Sequence, residues 1–235
     1  MILVRRALAE AIGTAFLVAT VVGSGIAASA LSPNDAGLQL LENSLATGVV
    51  LAALIVALQP VSAAFNPVIT LIERFVGVIS TSDAVVLIFA QVAGGAAGAV
   101  LANLMFGLSP VSVSDQARSG PGIWLAEAVA TLGLVLIIFT AIRGGRRQHV
   151  GYLVGGYIAG AYWFTSSTSF ANPAVTVART LSDTFAGIAP SSAPLFIAMQ
   201  LLGGAVGLAL ISVLHPGSGA AGSELTAPPS RRDLG

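Results

Sequence analysis

The chain has 235 residues, 55% of them hydrophobic and 9% charged, and its ten acidic residues balance ten basic ones, all arginine. A soluble domain carries about 25% charged residues, so this composition, with a mean hydropathy of +0.91, excludes a water-soluble globular protein and marks an integral membrane protein. There is no cysteine, which excludes disulfides, thiolate metal sites and cysteine nucleophiles, and the zero net charge gives no reason to expect a nucleic-acid partner.

The first apolar run, Ala7–Ala30, follows Arg5-Arg6. It is too long for a signal-peptide core and carries Glu10, so it reads as a retained transmembrane helix. A second span covers Leu41–Gln59. A small-residue loop, Val61-Ser62-Ala63-Ala64, then leads into Phe65-Asn66-Pro67-Val68-Ile69-Thr70. Asn is a preferred helix N-cap and Pro is favoured at the first helical position. A short helix is therefore predicted over Asn66–Val76. About ten residues rise roughly 15 Å, half the hydrocarbon thickness, so this segment enters the bilayer and stops near its midplane.

The third span is Ala84–Phe106, the fourth Gly122–Ile142 with Glu127 inside it, and the fifth Val150–Phe164. The fifth is short and is expected to continue from Thr165 onward. Ser166-Ser167-Thr168-Ser169 then leads into Phe170-Ala171-Asn172-Pro173-Ala174-Val175-Thr176, the start of a second half-helix over Asn172–Asp183. The sixth span is Pro194–Leu214, and the tail 215–235, rich in Pro, Gly, Ser and charge, reads as disordered and cytoplasmic.

The halves repeat. Leu8-Ala9-Glu10-Ala11 matches Leu125-Ala126-Glu127-Ala128, and Gln91 to Gly98 matches Gln200 to Gly207, each with a paired glycine and a further one four residues on. With the Asn-Pro motifs, three features recur in one order. Three spans per half is odd, so the second half is inverted: repeats 7–106 and 122–214 form one channel domain over 1–214. The fold expected is an all-α membrane protein of six spans and two re-entrant half-helices. The Gly-rich runs suit close packing of helices within the subunit. Arg5, Arg6, Arg143, Arg146, Arg147, Arg231 and Arg232 all fall on one side, which the positive-inside rule makes cytoplasmic, termini included.

The paired Asn-Pro motifs, the paired glutamates and the six spans together resemble the major intrinsic protein family, the aquaporins and aquaglyceroporins, over Glu10 to about Leu214. The resemblance implies a multi-pass channel of the plasma membrane. It implies one pore per subunit, assembly as a homotetramer, a small neutral solute as the passing partner, and no cofactor or metal. It places Asn66 and Asn172 at the pore centre, and makes Glu10 and Glu127 the carboxylates that hold the re-entrant loops. The physics of the motif is independent of the resemblance. Each half-helix N-terminus carries about half a positive charge. Their sum repels a cation about 5 Å away by on the order of 3 kcal/mol at a dielectric near 20. The two amides can still donate to a neutral hydroxylated solute.

By the family's spacing, the selectivity filter falls at Gly160, Ser169 and Val175, with Thr47 from the second span if the first re-entrant loop is one residue short, and Ala46 otherwise. Typical members have arginine where Val175 stands, and water-selective ones a histidine near Gly160 and an aromatic near Thr47. Thr, Gly, Ser and Val imply a wide filter without a fixed cation, suited to glycerol, boric acid or arsenous acid, and a bacterial arsenic-associated branch shares the valine. Arg179, one turn beyond Val175, is placed at the helix end or external surface, with a swing into the filter as the alternative. Arg74 and Glu73 read as a loop-stabilising pair. An ordinary water channel is the nearest rival. A secondary transporter or an intramembrane enzyme fits less well, for want of ionisable groups in the pathway and of a nucleophile–base pair.

Overall fold

In hydrocarbon a backbone can bond only to itself, so long apolar runs become helices. The structure, a computed structural model, describes residues 1–216. Among these residues there are eight α-helices, one 3-10 turn (Arg147–His149) and no strand. The helices are α1 Ile2–Leu31, α2 Ala36–Leu58, α3 Pro67–Phe75, α4 Thr81–Met105, α5 Pro121–Arg143, α6 Val150–Phe164, α7 Pro173–Arg179 and α8 Ala193–Leu214. Five of them, α1, α2, α4, α5 and α8, are long and apolar enough to cross a membrane. The tail expected from residue 215 lies, from residue 217, outside the described residues.

Caps set the boundaries. Asp35 accepts from the Leu38 amide at 2.9 Å and starts α2 at Ala36, ahead of the expected Leu41. Ser80 accepts from the Asp83 amide at 3.1 Å and starts α4. The fifth span does not continue past Thr165. Both the amide and the hydroxyl of Thr165 bond back to the Ala161 carbonyl, at 3.2 and 2.6 Å, and its backbone turns extended. The second half-helix ends at Arg179, short of the expected Asp183. The carbonyls of Thr180 and Leu181 accept from the amides of Ser114 and Ser112 in the α4–α5 loop, each at 3.0 Å, which draws the chain out of the helix.

Helix pairs approach through glycine. A Cβ on Gly94 or Gly98 would land on the backbone of Ala11 or Ala15 in α1. In the other half, a Cβ on Gly203 would land on the Ala128 carbonyl of α5. The glycine runs thus pack helices inside the subunit, α1 on α4 and α5 on α8. The halves meet where α2 crosses α6, with Gly48 against the Gly155 carbonyl, a Cβ there reaching it at 2.7 Å. Phe16, Phe89, Leu125 and Val213 stay exposed, as a lipid-facing surface requires.

Candidate functional site

The starts of α3 and α7 face one another. Asn66 Oδ1 accepts from the Val68 amide at 2.9 Å. Asn172 Oδ1 accepts from the amides of Ala174 and Val175 at 2.9 and 3.3 Å. Pro67 and Pro173 fill the first helical position, where no amide hydrogen is needed. Each asparagine also reaches across to the other half. Asn66 Nδ2 donates to the Ala171 carbonyl at 2.8 Å, and Asn172 Nδ2 donates to the Phe65 carbonyl at 2.7 Å. An amide nitrogen has two hydrogens, so each keeps one for a molecule in the internal cavity that both residues line.

The loops before the asparagines are strained. Phe65 and Ala171, each directly before its asparagine, have φ of +48° and +47°. Such a conformation costs a non-glycine residue on the order of 1 kcal/mol or more, so something must hold it. Glu10 Oε1 accepts from Ser62 Oγ at 2.5 Å and the Ala64 amide at 2.9 Å, and its Oε2 from the Phe65 amide at 2.6 Å. Glu127 accepts from the amides of Phe170 and Ala171 at 2.9 and 3.0 Å. Gln91 and Gln200 complete the two sets. Each donates to its glutamate, at 2.8 and 2.7 Å, and to the threonine four residues beyond its asparagine, Thr70 or Thr176, both at 2.8 Å. Both glutamates are fully buried, which is tolerable for a carboxylate only with this many donors.

The cavity holds about 50 Å³. One water needs roughly 10–15 Å³ on this measure, so there is room for a short single file. Leu51, Ile55, Leu134, Ile138, Val154 and Ile158 supply apolar wall, and the two re-entrant loops supply polar atoms. Thr47, Ser169 and Val175 all line it, and of the two α2 candidates Thr47 does so and Ala46 does not. Ser169 is buried and its Oγ has no hydrogen-bond partner.

Gly160 is a correction. It is exposed, with open space where a Cβ would be, and does not line the cavity. The lining stripe of α6 is Val150, Val154, Ile158 and Tyr162, a four-residue period that sets one helical face. Gly160, two residues from Ile158, points the opposite way. Tyr162 takes its place, with Oη 3.4 Å from Thr47 Oγ1. The site is therefore not lined by small side chains alone.

Arg179 is also inside. It is 2% exposed and lines the cavity, its guanidinium carbon 3.4 Å from the Phe170 ring centroid and its Nε donating to the Ala186 carbonyl. On the same ring, at 5.2 Å, lies Arg118 from the α4–α5 loop. Burial pushes the Arg118 guanidinium below its usual range, against the opposing pull of Tyr162 and Glu127. Arg74 donates to Thr81 Oγ1 at 2.6 Å. Counting from the asparagine missed Tyr162; the four-residue stripe in the sequence would have found it. Gln91 and Gln200 each open a glycine run and Thr70 and Thr176 each follow an asparagine by four, which was legible as a repeat; the Gln–Thr separations differ, 21 and 24 residues, and did not mark a bonded set.

Two asparagine-capped half-helices meeting on a narrow cavity, each anchored by a buried glutamate from the opening helix of its own repeat, define a membrane channel. The chain belongs to the major intrinsic protein family, whose sequence profile matches residues 1–168. It is 50% identical over 210 residues to an aquaglyceroporin, AqpS, of Rhizobium meliloti (strain 1021), a match covering 89% of each chain. Its fold is similar to that of the aquaglyceroporin from Plasmodium falciparum, with a TM-score of 0.70 at 19% identity over 91% of this chain and 98% of that one. The chain is a multi-pass passive channel for small neutral solutes and not an enzyme.

Proposed function

We propose that this channel passes small hydroxylated solutes, glycerol-type polyols or metalloid hydroxides such as arsenous acid, with some water flux. The observation that carries the reading is the mixed chemistry of the cavity's polar end. Thr47, Ser169 with its unpartnered hydroxyl, and Tyr162 offer oxygens beside the apolar Val175. A polyol has a carbon edge and a hydroxyl edge, and this wall suits both. The likeness to a protein described as an aquaglyceroporin supports it. In this reading Asn66 and Asn172 donate to the solute at the centre, with Pro67, Val68, Pro173 and Ala174 forming the half-helix starts. Glu10 and Glu127 hold the loops, and Thr47, Tyr162, Ser169 and Val175 form the filter. Residues 1–214 make the whole channel domain. We place the chain in the plasma membrane as a homotetramer, with both termini cytoplasmic, on the arginine distribution and the family resemblance.

A second reading, a water-selective channel, is favoured by the Tyr162 ring and the small cavity volume. Stopped-flow light scattering on reconstituted vesicles separates the two, with water, glycerol and arsenous acid compared in one preparation. Solute-driven reswelling faster than in empty vesicles is expected. Fast water exchange with no solute flux would make this a water channel.

A further inference from the structure

Arg179 is a buried cation on the wall of the conduit. The ionisable groups that feel its field are Tyr162, Arg118 and Glu127. The one carboxylate among them, Glu127, accepts from the amides of Phe170 and Ala171 and from Gln200. What positions the guanidinium instead is the Phe170 ring under it and the Ala186 carbonyl at its Nε. Both supports are held from the α4–α5 loop. Arg118 Nε donates to the Gly187 carbonyl at 2.8 Å, its Nη2 to the Phe185 carbonyl at 3.2 Å, and its backbone amide to Ser192 Oγ at 3.1 Å. The two carbonyls flank Ala186 on either side. Arg118 also covers the Phe170 ring. The amides of Ser112 and Ser114 hold the chain just after Arg179.

We infer that Arg179 is a specificity-determining residue, a fixed charge that closes this channel to cations at a second level beyond the asparagines, and that Arg118 is the residue that positions it. The inference rests on the channel reading above. A fixed unit charge about 6 Å from a passing cation, at a dielectric near 20, slows entry by roughly a hundredfold. Val175 lies one turn earlier on the same helix and is buried and apolar, so it contributes no such charge. The guanidinium has five donors, of which Nε is taken by Ala186, and its remaining N–H groups suit the oxygens of a hydroxylated solute.

The test is cation and proton entry into reconstituted vesicles under a diffusion potential, read beside water and glycerol flux in the same preparation. Arg179→Gln is expected to raise cation entry ten- to a hundredfold relative to water flux and to shift the glycerol-to-water ratio. Arg179→Lys, which keeps the charge, is expected to keep cations out. Arg118→Gln is expected to raise the leak by a smaller factor. The double variant is expected to leak no more than Arg179→Gln alone, because Arg118 acts through Arg179. Wild-type solute and water flux with an unchanged leak in Arg179→Gln would overturn this inference alone. Should that variant not fold, a leak in Arg179→Lys equal to that expected of the glutamine form would overturn it. Fully additive leaks in the double variant would overturn the role of Arg118. Wild-type vesicles no faster than empty ones would overturn the channel reading, and this inference with it.

Discussion

Phe65 and Ala171 occupy equivalent places, each the left-handed residue before its asparagine, yet they differ greatly in size. The difference is absorbed one helix away. A Cβ on Gly13 would sit inside the Phe65 ring. Gly13 lies three residues after Glu10, and the residue three after Glu127 is Ala130. Gly13→Ala is expected to cost about 1–3 kcal/mol by overpacking. Combining it with Phe65→Ala recreates the pair used in the second half. In thermal unfolding the double variant should therefore be less destabilised than the sum of the singles. Glu127→Gln is a different kind of change. The carboxylate accepts from three N–H groups, and an amide in its place turns one acceptor into a donor facing a donor. A buried mismatch of this kind costs about 1–3 kcal/mol. A lower melting temperature and a lower solute flux are both expected.

Helix pairs carry their own prediction. Gly203→Ala would place a Cβ on the backbone carbonyl of Ala128, which cannot swing aside. It should force α5 and α8 apart at a cost of about 1–3 kcal/mol, measurable by thermal unfolding in detergent. Gly160→Ala meets open space and should lower neither stability nor flux, a direct check that α6 turns Tyr162 and not Gly160 to the conduit. The elements themselves were readable in the chain. The eight helices of the described residues and both half-helix starts follow from apolar runs, Asn-Pro capping and repetition, five of the helices being long and apolar enough to cross a membrane, whereas the holding role of the two glutamates came from the family resemblance. The ends were less readable, because tertiary partners decide them. α7 stops where Ser112 and Ser114 take its outgoing carbonyls, and α6 stops where Thr165 bonds back to Ala161. The register of α6 was missed because a fixed count from Asn172 ignores where the helix ends. Arg179 does close α7, at the helix end expected of it, but its burial on the cavity wall was not readable, because its supports, Phe170, Ala186 and Arg118, come from segments that no local pattern joins.

At the scale of the molecule, cation exclusion at the centre is a sum over two halves. Each half-helix contributes about half a charge at its N-terminus. Asn172→Asp keeps a good cap for α7 but adds a carboxylate where that sum is felt, and removes the donor to the Phe65 carbonyl. Cation entry into vesicles should rise severalfold or more, while a neutral solute still passes. The crossed bonds at this point also bear on how the protein comes into being. Asn66 waits for a carbonyl at Ala171, 105 positions later in the chain. At a synthesis rate of about 5–20 residues per second, that interval is roughly 5 to 20 s. Glu10 and Gln91 can settle the first loop early, since both belong to the first half. The asparagine cannot be settled so soon. The middle of the conduit thus waits for the second half of the chain, and a nascent chain arrested before Ala171 holds an anchored half with no working passage through it.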